Sequence, residues 1–387
     1  MIIETTTIII SLVIIALVAC SIVCNPLFRK IGATSTLANE SLQSADGSAL
    51  LPDVSIVVLA HGKVHSLDSL LPLLLEQHYT SNYEIVVVGT DGDHNTETII
   101  KQYSASDRLY ATYIPSRTLF MSRAKLAVAL GVKAAHHEWI VILGADSLPM
   151  SDHWLMHMAQ QMTPATDLVI GYSNYSTETS SFKRFYRLLN NCYLLRKAER
   201  GTAYRSNGSN IAFRKSAFID GDGYRGNLQY VNGEYDFLIN KYARPHTTNI
   251  VLHPKSFVRD TTPTTKEWRE RCITYCHVRR FLQRSASLRF QRYVDVWLML
   301  LGYLAPLMGI AYGILCSDLI VIVVAAVAII TILVARCLIG ARRYRQFTEP
   351  IAPWLTIAYE LLLPMTSIVE RIRYWRSDER DFTTHKL

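Results

Sequence analysis

With 387 residues, half of them apolar, and a formal net charge of +8, the chain has material for one large domain or two small ones with appendages. The apolar excess gathers at the two ends, and much of the basic surplus lies in 269–292 and 336–376, beside apolar segments. A basic edge next to a membrane span answers to orientation and anionic lipid, so the charge is not read as that of a nucleic-acid binder. Residues 5–24 are long and apolar enough to span a bilayer. Leu17, Val18, Ala19 and Cys20 resemble a lipoprotein cleavage box, but the four residues before the span carry no positive charge, as a signal peptide would. Arg29 and Lys30 follow it, which predicts an uncleaved anchor over 1–30, with the amino terminus outside and the next domain in the cytoplasm. A tether rich in Ser, Ala, Thr and Gly occupies 31–51.

From residue 54 the pattern becomes that of an α/β domain. Apolar runs at 54–59, 83–88 and 109–114 read as strands. Helical spacing places Leu67, Leu70, Leu71, Leu74 and Leu75 on one face, and a second, short helix fits 96–103. The stretch 121–149 supplies a further helix and then a buried strand at 139–143, ending in Gly144-Ala145-Asp146-Ser147. Strands and helices alternating over short loops predict a mostly parallel sheet with right-handed crossovers. Ligands bind at the carboxyl ends of such strands. Asp146 stands there, either to hold a divalent cation against a diphosphate or to cap the segment that begins with Pro149.

Beyond Pro149 the spacing predicts helices at 154–162 and 182–197, the second basic and aromatic, and strands at 168–172, 208–213 and 250–253. Gly233-Glu234-Tyr235-Asp236 opens a helix over 237–242, and a basic helix covers 265–284. The seven cysteines show no scaffold spacing and read as reduced thiols; Cys272, Cys276 and His277 are helix neighbours rather than a metal set. Segments 295–315 and 319–339 form a transmembrane hairpin, flanked by arginines that keep both ends in the cytoplasm. These spans are expected to carry almost no buried charge, which argues against a transporter. Residues 350–365, interrupted by Pro353, Glu360 and Pro364, read as an interfacial helix beside a basic tail. The expected organisation is an anchor (1–30), a linker (31–51), a cytoplasmic domain (52–290), a hairpin (291–340) and a tail (341–387).

In this order the motifs resemble those of the family 2 glycosyltransferases with a GT-A, Rossmann-like fold. The resemblance rests on Val54-Ser55-Ile56-Val57-Val58, Glu84-Ile85-Val86-Val87-Val88, Gly144-Ala145-Asp146-Ser147-Leu148-Pro149, Gly208-Ser209-Asn210-Ile211-Ala212-Phe213 and Gly233-Glu234-Tyr235-Asp236-Phe237-Leu238. It covers roughly 52–284, and the late spans suit the membrane-anchored bacterial branch. The resemblance implies a nucleotide-sugar donor and Mn²⁺ or Mg²⁺ held by Asp146, the second position of an Asp-x-Asp element whose first position is Gly144. It implies base recognition by Asp91 with a shifted register, a diphosphate contact from Arg123 with Lys125 nearby, and a further donor contact at Asn210. The general base would be Asp236, with Glu234 holding the acceptor or the base; Tyr235 stands where the family more often has an acid. No Gln-x-x-Arg-Trp element follows Trp268, which points to addition of a single sugar. The implied reaction is inverting transfer to a lipid-linked or membrane-proximal saccharide. The alternative is a catalytically silent GT-A-like subunit of a glycan assembly or export complex, favoured by the departures at Gly144, at the Asp pair around Asp91 and at Tyr235.

Overall fold

The computed structural model describes residues 5–32, 51–60, 64–103, 105–118 and 121–383. Most of the expected tether, 33–50, and the turn at 61–63 lie outside the described residues. The chain divides into two compact units, one of Met1–Lys30 with Arg284–Ile372 and one of Ile31–Gln283 with Arg373–Leu387.

The second unit is the α/β domain. Its elements begin with β1 (Val54–Leu59), α2 (Val64–Leu75), β2 (Tyr83–Thr90), α3 (His94–Gln102), β3 (Leu109–Ile114), α4 (Arg123–Ala134) and β4 (Trp139–Gly144), α1 (Thr5–Val23) belonging to the other unit. They continue with β5 (Ser147–Pro149), α5 (Trp154–Ala159), β6 (Leu168–Gly171), β7 (Ser173–Tyr175), α6 (Ser181–Arg200), β8 (Ile211–Arg214) and α7 (Lys215–Asp220). Then come α8 (Glu234–Tyr242), β9 (Thr248–Val251), β10 (Val258–Asp260) and α9 (Thr265–Val278). A seven-stranded sheet runs β3-β2-β1-β4-β8-β6-β9. The pairs β3–β2, β2–β1, β1–β4 and β6–β9 are parallel, and β8 is antiparallel to both its neighbours.

Every residue of β1 and β4 is buried, as central parallel strands covered on both faces require. Leu67, Leu70, Leu71 and Leu74 of α2 are fully buried in the core beside them. On α4, a Cβ at Gly131 would come within 2.4 Å of Val57 Cγ1, so this helix lies against β1 only because that position is glycine. A small second sheet, β5-β10-β7, has no counterpart in the sequence reading. Its strands are three residues long, too short for a periodic signal. Its register sets Asp260 opposite both Ser147 and Tyr175.

The last described residues return to this domain: Val231 N–H donates to Phe382 O at 2.9 Å, and Phe382 stacks on His277. The expected tail of 341–387 is therefore divided between the two units.

The first unit contains α1 (Thr5–Val23), α10 (Ser285–Leu315), α11 (Leu319–Gln346) and most of α12 (Leu355–Trp375). The first three are each long and apolar enough to cross a membrane. Both hairpin helices extend beyond the expected spans, by ten residues before Asp295 and by seven beyond Ile339. The spans carry more buried charge than expected, since Arg336 in α11 and Asp295 in α10 are both buried, and Glu360 is buried in α12. Arg336 Nε lies 3.0 Å from Glu360 Oε2. Asn25 donates to Glu360 Oε1 at 2.6 Å and Tyr303 to Oε2 at 3.0 Å. Arg29 forks onto both oxygens of Asp295 at 2.7 and 2.8 Å. Hydropathy could not show this, because each charge is offset by a partner distant in sequence.

Candidate active site

A cavity of about 500 Å³ is lined by the chain after β4 and by residues of β5, β7, β10, α6, α8 and α9. Asp146 is placed on it by the end of the central sheet. Ala145 N–H donates to Leu59 O, and Thr261 N–H donates to the carbonyl of Asp146. Pro149 ends a strand rather than starting a helix, so Asp146 is no helix cap. Gly144 is part of the same geometry. A Cβ there would sit 2.8 Å from Asp146 Oδ1 and push that carboxylate out of place.

Around Asp146 the charges interlock. Arg271 Nη2 is 3.2 Å from Asp146 Oδ2, and Arg271 Nη1 is 3.9 Å from Asp260 Oδ2. Arg187 Nη2 holds the same Asp260 oxygen at 2.6 Å, while Ser147 Oγ donates to Asp260 Oδ1 at 2.8 Å. Two carboxylates therefore share one guanidinium. Among the described residues no group of three or more His, Cys, Asp or Glu side chains is arranged to hold a metal. The donor set at Asp146 and Asp260 instead suits a hard cation that takes one or two protein carboxylates and fills its shell with phosphate and water.

A second acidic group lies on the same cavity. Gly233, at φ +89, makes the left-handed turn into α8, whose first turn carries Glu234 and Asp236. Asp236 is buried, with Arg205 Nε 3.2 Å from its Oδ1. Burial raises the Asp236 carboxyl above its ordinary range, with Arg205 opposing. Burial likewise raises Glu234, reinforced by the charge of Asp236 and opposed by Lys125. The Tyr235 phenol is pushed far up by burial and then by Glu234, Asp146 and Asp260. It stays protonated and can donate a hydrogen bond but not accept a proton.

The remaining sequence-derived residues fall elsewhere. Asp91 is exposed just past the carboxyl end of β2, and neighbouring Asp93 caps α3 by accepting from Thr96. Arg123 is exposed at the first position of α4. Neither lines the cavity. Lys125 is fully buried and donates to Asn227 O and Tyr230 O, each at 2.6 Å. Burial lowers its pKa to about 8. It pins the segment that leads into Glu234. Asn210 is buried away from the lining: Trp154 Nε1 donates to its Oδ1, and its Nδ2 donates to Tyr172 O and Ser256 O. Sequence reasoning missed Asp260, Arg187 and Arg205. An Asp closing a short Val258-Arg259-Asp260 run before Thr-Thr-Pro was the available signal for the first. The arginines gave none that set them apart from a solvated basic face.

Residues 55–221 match the family described as Glycosyl transferase family 2. No sequence among curated proteins matches the chain. Among solved structures, the fold is similar to that of the mannosyltransferase PcManGT from Pyrobaculum calidifontis, in complex with GDP-Man and Mn²⁺. That likeness has a TM-score of 0.51 at 15% identity and covers 95% of this chain and 100% of that one. TarS 1–349 of S. aureus, in complex with UDP-GlcNAc, matches at a TM-score of 0.43 and 12% identity, covering 81% of this chain and 92% of that one.

Proposed function

We infer, from the family 2 glycosyltransferase domain that this chain carries over residues 55–221, that it moves one sugar from a nucleotide-sugar donor to a lipid-linked or membrane-proximal saccharide, with inversion. The observation that carries this reading is a single cavity with a carboxylate at the end of the central sheet, Asp146, and a second acidic pair, Glu234 and Asp236, on its wall. Asp146, with Asp260, would hold a divalent cation, and that cation would neutralise the charge that develops on the departing nucleoside diphosphate. Asp236 takes the proton of the acceptor hydroxyl, because attack needs a carboxylate within hydrogen-bond reach of that oxygen. Its raised pKa makes it a stronger base than an exposed aspartate. Glu234 orients the acceptor, and Tyr235 donates a hydrogen bond within the site. Asp91 and Arg123, near the carboxyl end of the parallel strands, are proposed to contact the nucleotide base and the diphosphate. Asn210 is proposed to support the donor wall from behind.

The apolar helices at both ends of the chain support this acceptor class. With Arg29 and Lys30 after the first and arginines flanking the hairpin, the positive-inside rule puts the catalytic domain on the cytoplasmic face of the inner membrane. Exposed Trp354 and Trp375 flank α12 and suit it to the membrane–water interface.

The test is nucleoside diphosphate release by the detergent-purified protein over a panel of nucleotide sugars, with Mn²⁺ and with chelator. Release from one donor, abolished by chelation, is expected. A folded protein with no release and no donor-induced thermal shift would overturn the enzyme reading in favour of a silent subunit.

A further inference from the structure

We infer that Arg271 is the resident counter-cation of the donor site, so that a divalent cation replaces it tightly at Asp146 only together with a nucleoside diphosphate. The inference rests on the reading of Asp146 as a cation ligand given above.

The guanidinium of Arg271 already spans the oxygens that reading assigns to a metal, at 3.2 Å from Asp146 Oδ2 and 3.9 Å from Asp260 Oδ2. A doubly charged ion on the same carboxylates would face it across shared oxygens, like charge against like charge. One of the two cations must leave. The structure distinguishes which arginine can yield. Arg187 is buried and anchored at once to Asp260, Ser173 Oγ and Asn207 O. The side chain of Arg271 is 38% exposed and extends from α9, whose start is fixed independently by the capping box of Thr264 and Glu267. Arg271 can therefore swing without disturbing its helix, while Asp260 keeps Arg187.

In the free protein, metal binding must break the Arg271 pairs and leave the guanidinium facing an ion. A diphosphate changes the balance, because its oxygens accept from the displaced guanidinium as well as binding the metal. Metal and nucleotide then strengthen each other's binding by the same factor, as linkage requires. The bare site stays neutralised and takes up metal weakly until donor arrives.

Mn²⁺ binding to the full-length detergent-purified protein, read by the electron paramagnetic resonance of free Mn²⁺, tests this with and without GDP or UDP. Wild type is expected to bind Mn²⁺ about tenfold or more tightly with the accepted nucleotide than without it. In Arg271→Met, Mn²⁺ alone should bind about tenfold more tightly than in wild type, and the gain from nucleotide should shrink. Arg271→Lys keeps the charge and should restore weak binding of the metal alone. A residue that merely supports the fold would weaken metal binding when replaced, the opposite sign. Mn²⁺ binding that is lost in Asp146→Asn yet identical in wild type and Arg271→Met, nucleotide absent, would overturn the inference alone. Equal Mn²⁺ binding by wild type and Asp146→Asn, nucleotide present, would overturn the cation reading on which it rests.

Discussion

Two of the clusters of buried charge in this protein are built in opposite ways. In the helix bundle, Arg336 and Glu360 meet with almost no exposure, and Asn25 and Tyr303 occupy the remaining valences of the carboxylate. In the α/β domain, six carboxylates, Asp146, Asp260, Glu234 and Asp236 among them, line one cavity with three arginines, and burial holds Glu234 and Asp236 above their ordinary pKa. The first cluster is closed, and a closed buried pair acts on folding: lose one partner and the other is stranded. The second opens on a space large enough for a ligand, and it keeps its acids at a cost to stability. Charge burial by itself does not mark a site; charge burial around a cavity does.

The largest expected effect comes from Asp236→Asn. Turnover should fall about 10²- to 10⁴-fold with donor binding retained, measured as nucleoside diphosphate release in the presence of acceptor. A variant with unchanged turnover would move the base to Glu234. On the bundle side, Glu360→Ala strands Arg336 and should cost about 3–5 kcal/mol, seen as a lower unfolding temperature in detergent with unchanged turnover per folded molecule. Replacing Arg336 by Met and Glu360 by Leu together should recover most of that loss. If the double variant unfolds as easily as the single one, the pair does more than close the bundle.

Asn210→Ala sharpens the boundary between wall and site. It leaves the Trp154 indole and two carbonyls without their amide, a loss of about 1–3 kcal/mol, with donor KM unchanged. A raised KM at unchanged stability would return Asn210 to the donor. The smallest effect is one of pH. Carboxyls whose folded pKa lies above the unfolded value stabilise the fold fully below the unfolded pKa, and that contribution is lost as pH rises through the folded pKa. Turnover should therefore rise, and unfolding temperature fall, across one window above the ordinary carboxylate pKa of about 4. Glu234→Gln should flatten the stability trend. A fold that gains stability through that window would contradict the assigned burial.

The central sheet was legible because β1, β2 and β4 are dominated by apolar residues, and Asp146 stood out because it follows one of them closely. The second sheet was not, since three-residue strands show no period, and with it went Asp260. Asn210 sits in a family-like motif, but only packing shows that its amide is occupied by Trp154, Tyr172 and Ser256. Arg336 looked like the basic flank of a span; its partner lies on another helix, and no local pattern joins the two. Lys125 stands near Arg123 in the sequence, and only packing shows that its ammonium donates to two carbonyls.

The most direct test is to compare donor-dependent nucleoside diphosphate release in wild type and Asp146→Ala at saturating Mn²⁺, with unfolding temperatures taken on the same samples. The expected result is a loss of about 10²-fold or more in turnover at an unchanged unfolding temperature, as removal of electrostatic stabilisation of a leaving group requires. Turnover retained in a folded Asp146→Ala would contradict the assignment of this carboxylate, and with it the claim that the cavity at the end of the sheet is where transfer occurs.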